Sequence, residues 1–435
     1  MAQQSKTALT SRPLIKALGT ASILSLAIAG ANVANAAVQT DIGVDYRAQF
    51  FAVDSEAFGQ TTDTDTGFAN LLRVKADFKH EGTGVSLHTS TQLAGDRWKG
   101  DNRDGTGNSS YSAATNETVT LDLGYVQIPF ANRAVLRVGR QAANWSNCFL
   151  VCDDRRDRIM TLIPTGAGTV ILGYDRRQDT NSFMNMDQGD MINAGLVTRL
   201  GDFSVGLLWV HWLKNTDEYV PGTSYVLQNT HLFSPYIQGN LADNVSMAFG
   251  MNYVGQSDVE LGDGRFFAEN AWSQYLRLGT SLDVVDLNFQ GVFTQDGGLV
   301  SPGFDTYSSL INSNPESTAN PTSLVRMGGT LGIEDHEEML VMAQAGFKVS
   351  PAVTLKAAVG YYDIDTGANS DDSMVYDLQA HYRMNEAVST SVTWGMITKN
   401  EAGTTAGNSL VQNSGGAGYA DDDLMAASVN LHVKF

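Results

Sequence analysis

Apolar and polar residues alternate strictly over the last stretch of the chain. Met425, Ala427, Val429, Leu431, Val433 and Phe435 are apolar, with Ser428, Asn430, His432 and Lys434 between them. A period of two marks a β-strand with one greasy and one wet face. The same pattern recurs from the other end. Ile42, Val44, Tyr46, Ala48 and Phe50 interleave with Asp45 and Arg47, and Leu72, Val74, Ala76 and Phe78 interleave with Arg73, Lys75 and Asp77. Further alternating runs begin at Val85, Val245, Val285, Val353, Met374 and Val388. No comparable stretch has a 3.6-residue period, so an all-β chain is predicted.

Short connections alternate with long polar ones. The short ones are Glu81–Gly84, Pro129–Ala134, Pro164–Gly168, Gly201-Asp202, Ala242–Asn244, Asp283-Val284, Ser350–Ala352 and Asn385–Ala387. The long ones are 54–67, 95–117, 142–157, 178–190, 214–230, 255–271, 294–336, 364–372 and 398–422. Such regular alternation predicts a transmembrane antiparallel β-barrel with short periplasmic turns, long outer loops and about 18 strands, within 16–20. Aromatics sort by strand direction. Phe78, Phe130, Phe203, Tyr382 and Phe435 fall at turn ends, and Phe50, Trp209, Tyr253, Phe293, Tyr361 and Trp394 near loop ends, as two membrane interfaces require.

The N-terminus specifies the compartment. Residues 1–16 carry Lys6, Arg12 and Lys16 and no acid, an apolar run follows from Ala17 to Ala29, and Ala34-Asn35-Ala36 is a small-x-small cleavage site. Residues 1–36 therefore read as a secretory signal peptide and 37–435 as the mature barrel. Removing the three cations takes the formal charge from −19 to −22, which excludes nucleic acid as a partner. Mean hydropathy is −0.15. A barrel and a soluble protein look alike by that measure, because the two strand faces average out.

The lumen-facing positions are the functional candidates. Arg47, Arg73, Lys75 and Arg137 fall on inner faces by alternation, an unexpectedly basic wall for so acidic a chain. The third long loop holds Cys148 and Cys152, then Asp153-Asp154-Arg155-Arg156-Asp157-Arg158. A loop folded into the lumen would set Asp153, Asp154 and Asp157 against those wall cations as a constriction, the alternative being wall salt bridges alone. Cys148 and Cys152 are expected to form a local disulfide in an oxidising compartment, free thiols being the alternative. None of the seven histidines sits in a catalytic frame, and no metal or haem motif occurs, so neither an enzyme, a metal nor a cofactor is expected.

The run Leu136-Arg137-Val138-Gly139-Arg140-Gln141 with the Arg/Asp-rich stretch after it resembles the outer-membrane porins of the alginate-export and carboxylate-channel type. The resemblance implies 18 strands, a bacterial outer-membrane location with its lipid, and a ladder of basic residues for small hydrophilic, anionic solutes. It also implies a trimeric or monomeric state, and a terminal aromatic strand ending in Phe435 that the barrel assembly machinery reads. The alternative function is a sheath around a multihaem cytochrome in an electron conduit, which would fill the lumen with protein.

Overall fold

The computed structural model describes residues 37–54, 64–98, 119–176, 178–179, 187–188, 190–213, 229–255, 269–312, 324–328, 332–400 and 423–435. The signal-peptide expectation for residues 1–36 lies outside them. Seven strands open the chain: β1 (Val38–Asp54), β2 (Thr64–His80), β3 (Ser86–Trp98), β4 (Val119–Pro129), β5 (Val135–Trp145), β6 (Val151–Thr165) and β7 (Gly168–Arg176). A two-residue ribbon, β8 (Gln178–Asp179) with β9 (Asp187–Gln188), follows. Then come β10 (Met191–Leu200), β11 (Phe203–Trp212), β12 (His231–Ala242), β13 (Val245–Val254), β14 (Ala271–Leu282) and β15 (Val285–Gln295). The last are β16 (Glu337–Ser350), β17 (Val353–Asp365), β18 (Ser370–Arg383), β19 (Val388–Ile397) and β20 (Leu424–Lys434).

Apart from the ribbon, these form one 18-stranded sheet. Each strand pairs antiparallel with its neighbours, and β20 pairs with β1, so the sheet closes on itself. Phe435 completes the seam: its N–H donates to Val44 O (3.1 Å), and its carbonyl accepts from Val44 N–H (2.7 Å). The architecture is an all-β transmembrane barrel, and closure leaves no unpaired backbone edge toward lipid.

Strand alternation sorts the two faces. Ile42, Leu121, Leu207, Leu378, Val392 and Val429 are exposed on the outer wall. Asp45, Gln49, Asn193, Ser234, Asn252, Gln290, Thr393 and Asn430 are buried on the inner one. The eight tight turns fall where the sequence places them. Two long connections do not. The eighth spans only residues 366–369, and the third only 146–150. The reason for the second difference is β-structure. The Asp/Arg run 153–158 is part of β6 and pairs with β5, Ala143 with Asp154 through Gly139 with Arg158.

The β5–β6 hairpin nevertheless enters the lumen. β4 stays paired with β5 only up to Gly124–Arg140, and β7 with β6 only up to Asp157–Arg176. Beyond those rows residues 141–156 pair with each other alone. Their contacts lie across the barrel: Trp145 Nε1 donates to Ser234 O on β12 (2.9 Å), and Asn147 Nδ2 to the Tyr275 hydroxyl on β14 (3.0 Å). The departure occurs beside Gly139, at φ +121°, where a Cβ would lie 2.3 Å from Gly124 O. Glycine adopts that conformation without steric cost.

A second insertion comes from the 296–336 connection. Val300, Phe304, Leu310, Ile311, Val325 and Met327 are fully buried. They pack on Phe149 of the hairpin tip and on inner-wall Tyr275, Leu340, Met342, Tyr362 and Ile364. Leu324 and Val325 N–H groups both donate to Leu310 O (2.8 Å each), which ties the two described parts of the insertion together. A hydrophobic core thus sits inside the barrel, toward the loop end, and the turn end is left polar. Gly139→Val is expected to lower stability by about 1–3 kcal/mol through the left-handed backbone and the clash with β4, read as an earlier midpoint in urea unfolding from lipid vesicles.

Candidate solute pathway

The hairpin meets the wall through charge. Asp122 on β4 is buried and faces inward. It accepts from Arg155 Nε of the hairpin (2.6 Å), Ser90 Oγ (2.9 Å) and Gln92 Nε2 (3.3 Å), and lies 3.4 Å from Arg73 Nε. Arg73 also lies 3.9 Å from Asp153, which pairs with Arg155. Arg73, Asp122, Asp153 and Arg155 therefore form one network between the β2–β4 wall and the face of the hairpin turned toward it. Arg155 can reach it because the hairpin has left the wall, so the residues of its former outer face now look at the inner face of β4.

The other face of the hairpin carries a second network. Arg156 lies 2.9 Å from Asp154 and 3.1 Å from Asp175, and Arg158 also donates to Asp175. Asp175, on β7, is completely buried. Asp157 belongs to neither network. It shares the lipid-side face with Val138, Ile159 and Leu172, is 63% exposed, and lies 3.8 Å from Arg140. The expectation that Asp157 faces the lumen is corrected by strand alternation: in a strand it must point opposite to Arg156 and Arg158.

The remaining predicted residues lie toward the turn end. Arg47 sits 3.1 Å from Asp45, whose other oxygen is 2.9 Å from His432 Nε2. Arg137 donates to Gln127 Oε1 (2.8 Å) and lies over the Tyr125 ring. Lys75 faces inward in the row between Gly43 and Ser90. Among the described residues neither Lys75 nor Arg137 forms an ion pair, and the same holds for inward-facing Arg199 and Arg383, whereas Lys356 and Asp286 flank Gly346 in one row. The lumen carboxylates are occupied instead. Asp286 pairs with Lys348 (3.0 Å), Asp377 accepts from Ser309 N–H (2.6 Å), and Glu338 accepts from the Tyr362 hydroxyl (2.6 Å).

Two cavities open at this end. One of about 750 Å³ is lined by Arg47, Lys348, His381, Arg383 and His432. Another of about 1080 Å³ is lined by Arg199, Gln238, Asn240, Arg277, Asn288 and Tyr307. Arg277 is fixed over the Phe304 ring (4.2 Å) and donates to Asp305 O of the second insertion. Burial pushes the Tyr307 pKa up, opposed by the Arg277 charge beside it.

Sequence reasoning missed Asp122, Asp175 and the inserted 299–312 segment. The segment had a signal, since Leu310, Ile311, Val325 and Met327 are apolar residues in a connection read as polar. Cys148 and Cys152 are bonded to each other at the hairpin tip.

A closed 18-stranded barrel with an apolar outer wall and a charged, partly filled lumen is the architecture of the channels of the bacterial outer membrane. No protein-family model matches the sequence, and no curated protein matches it. Solved structures do resemble its fold. Pseudomonas aeruginosa OccK9 (OpdG) superposes with a TM-score of 0.61 at 12% identity, covering 91% of this chain and 98% of that one. The outer-membrane protein OpdK of the same organism gives 0.60 at 10%, with the same coverages. OpdQ, also from that organism, gives 0.59 at 9%, covering 91% and 99%. At such identities the likeness is one of fold.

Asp122→Ala would leave Arg73 and Arg155 facing each other without their shared carboxylate. Breaking a buried pair of this kind costs about 3–5 kcal/mol. The expected result is a lower unfolding midpoint in vesicles, partly restored by adding Arg155→Met.

Proposed function

We propose that the barrel is a passive channel for small hydrophilic anions across the bacterial outer membrane, reached by export through the signal peptide at 1–36. One observation carries the reading. Lys75, Arg137, Arg199 and Arg383 line the lumen without an ion pair among the described residues, whereas Asp45, Asp122, Asp175 and Asp286 are each paired with a cation. The inner wall below the insertions therefore presents net positive charge despite an acidic chain.

Such a wall offsets the cost of partly dehydrating an anion in a narrow passage, and several weak sites in series let it leave again. The networks around Asp122 and Asp175 serve a different end, holding the hairpin in place so that Arg73 and Arg155 border the passage. OpdK has been solved with vanillate, a carboxylate, which supports an organic acid as the solute class. The lumen is occupied by the chain's own hairpin and by residues 299–312 and 324–328, which speaks against a sheath enclosing a cytochrome.

In planar bilayers under a salt gradient the reversal potential is expected to report anion preference. Lys75→Glu with Arg137→Glu should shift it toward cations without abolishing conductance. Strong cation preference of the unmodified protein would overturn the anionic assignment.

A further inference from the structure

The hairpin tip holds its backbone in a costly conformation. Ser146, Asn147 and Cys148 all lie in the left-handed region, with φ of 56°, 53° and 67°. For residues with a Cβ this conformation carries a steric cost, and a run of three persists only where its surroundings over-determine it. Two features do so. The Cys148–Cys152 bond closes the tip into a small ring. Inside that ring Phe149 is completely buried, its ring centroid 4.6 Å from Tyr275 of the wall and 4.9 Å from Phe304 of the second insertion.

The backbone of Phe149 joins the same three parts. Its carbonyl accepts from Ser301 N–H (2.9 Å) and from Asn252 Nδ2 of β13 (3.5 Å). The same Asn252 amide donates to Leu299 O (2.9 Å). Hairpin, wall and second insertion are thus pinned at one point. The networks around Asp122 and Asp175 hold the base of the hairpin.

We propose that the Cys148–Cys152 bridge is a latch that sets the bore of the channel, by keeping the tip closed around Phe149 and so docking both insertions against the β12–β14 wall. Both cysteines are only partly buried, within reach of a small thiol that enters the lumen. A dithiol reagent would cleave the S–S bond by exchange: each cysteine sulfur takes up a proton, and the reagent closes to its own disulfide. The left-handed run then loses its constraint, Phe149 leaves its pocket, and the two insertions part.

The inference rests on the channel reading, and the test separates them. Conductance of the folded, inserted protein is recorded before and after dithiothreitol, with bridge opening verified by maleimide labelling and barrel integrity by heat-modifiable mobility. The expected result is a rise of about twofold or more, since conductance follows the free cross-section that the insertions occupy, reversed on reoxidation. Cys148→Ser with Cys152→Ser should start at the reduced level and ignore the reagent. Phe149→Ala, which keeps the bridge, should conduct at the wide level without reductant. Unchanged conductance after verified cleavage, or a narrow Phe149→Ala channel, would overturn the latch and leave the channel standing. Absence of conductance in the oxidised protein would overturn the channel reading itself.

Discussion

Lipid offers no hydrogen bonds to a peptide group, and every part of this structure answers to that constraint. A sheet in a bilayer must satisfy its backbone internally, so it must close, and here β20 meets β1 along Asp45–Val53. Closure with 18 strands encloses a lumen too wide to fill with wall side chains alone. The outer face can then be largely apolar, while the inner face must deal with charge, water and the question of what may pass.

The chain deals with that lumen by giving up part of its own wall. Residues 141–156 leave their neighbours at Arg140 and Asp157, forgo the pairings they would have made with β4 and β7, and cross inward as a hairpin. Lost wall contacts are replaced by buried ion pairs at its base and an aromatic anchor at its tip. The division of labour follows from dielectric and geometry. Guanidinium–carboxylate pairs are directional and hold a strand at one register beside a wet wall. A phenyl ring in an apolar pocket has no such direction, but it excludes water and brings a second segment with it.

Charge in the lumen is likewise divided between holding and passing. Asp122 and Asp175 each gather two arginines, which uses up the acids that could have attracted cations. Lys75 and Arg137 form no ion pair among the described residues, which under the proposed function leaves their charge for a solute. An acidic chain can therefore present a basic passage, since what matters to an ion inside the barrel is the local balance along its path and not the total.

Strand period, turn positions and an even strand count were legible in the sequence, because alternation between lipid and lumen is a local demand that each strand must meet by itself. The inward placement of Arg47, Arg73, Lys75 and Arg137 followed from the same rule. It misled once, where the Asp/Arg run was taken for a loop: its charges look like loop residues, but they are strand residues whose partners stand across a lumen, so that Asp153 and Asp154 face inward and Asp157 faces out. Which acids pair with which arginines, that residues 299–312 fold back inside, and that Phe149 joins three parts of the molecule were decided only in the tertiary structure. Several of those contacts join positions more than a hundred residues apart, such as Asn147 with Tyr275 and Phe149 with Phe304. No local pattern records them, because they exist only once the barrel has closed and brought its far walls face to face.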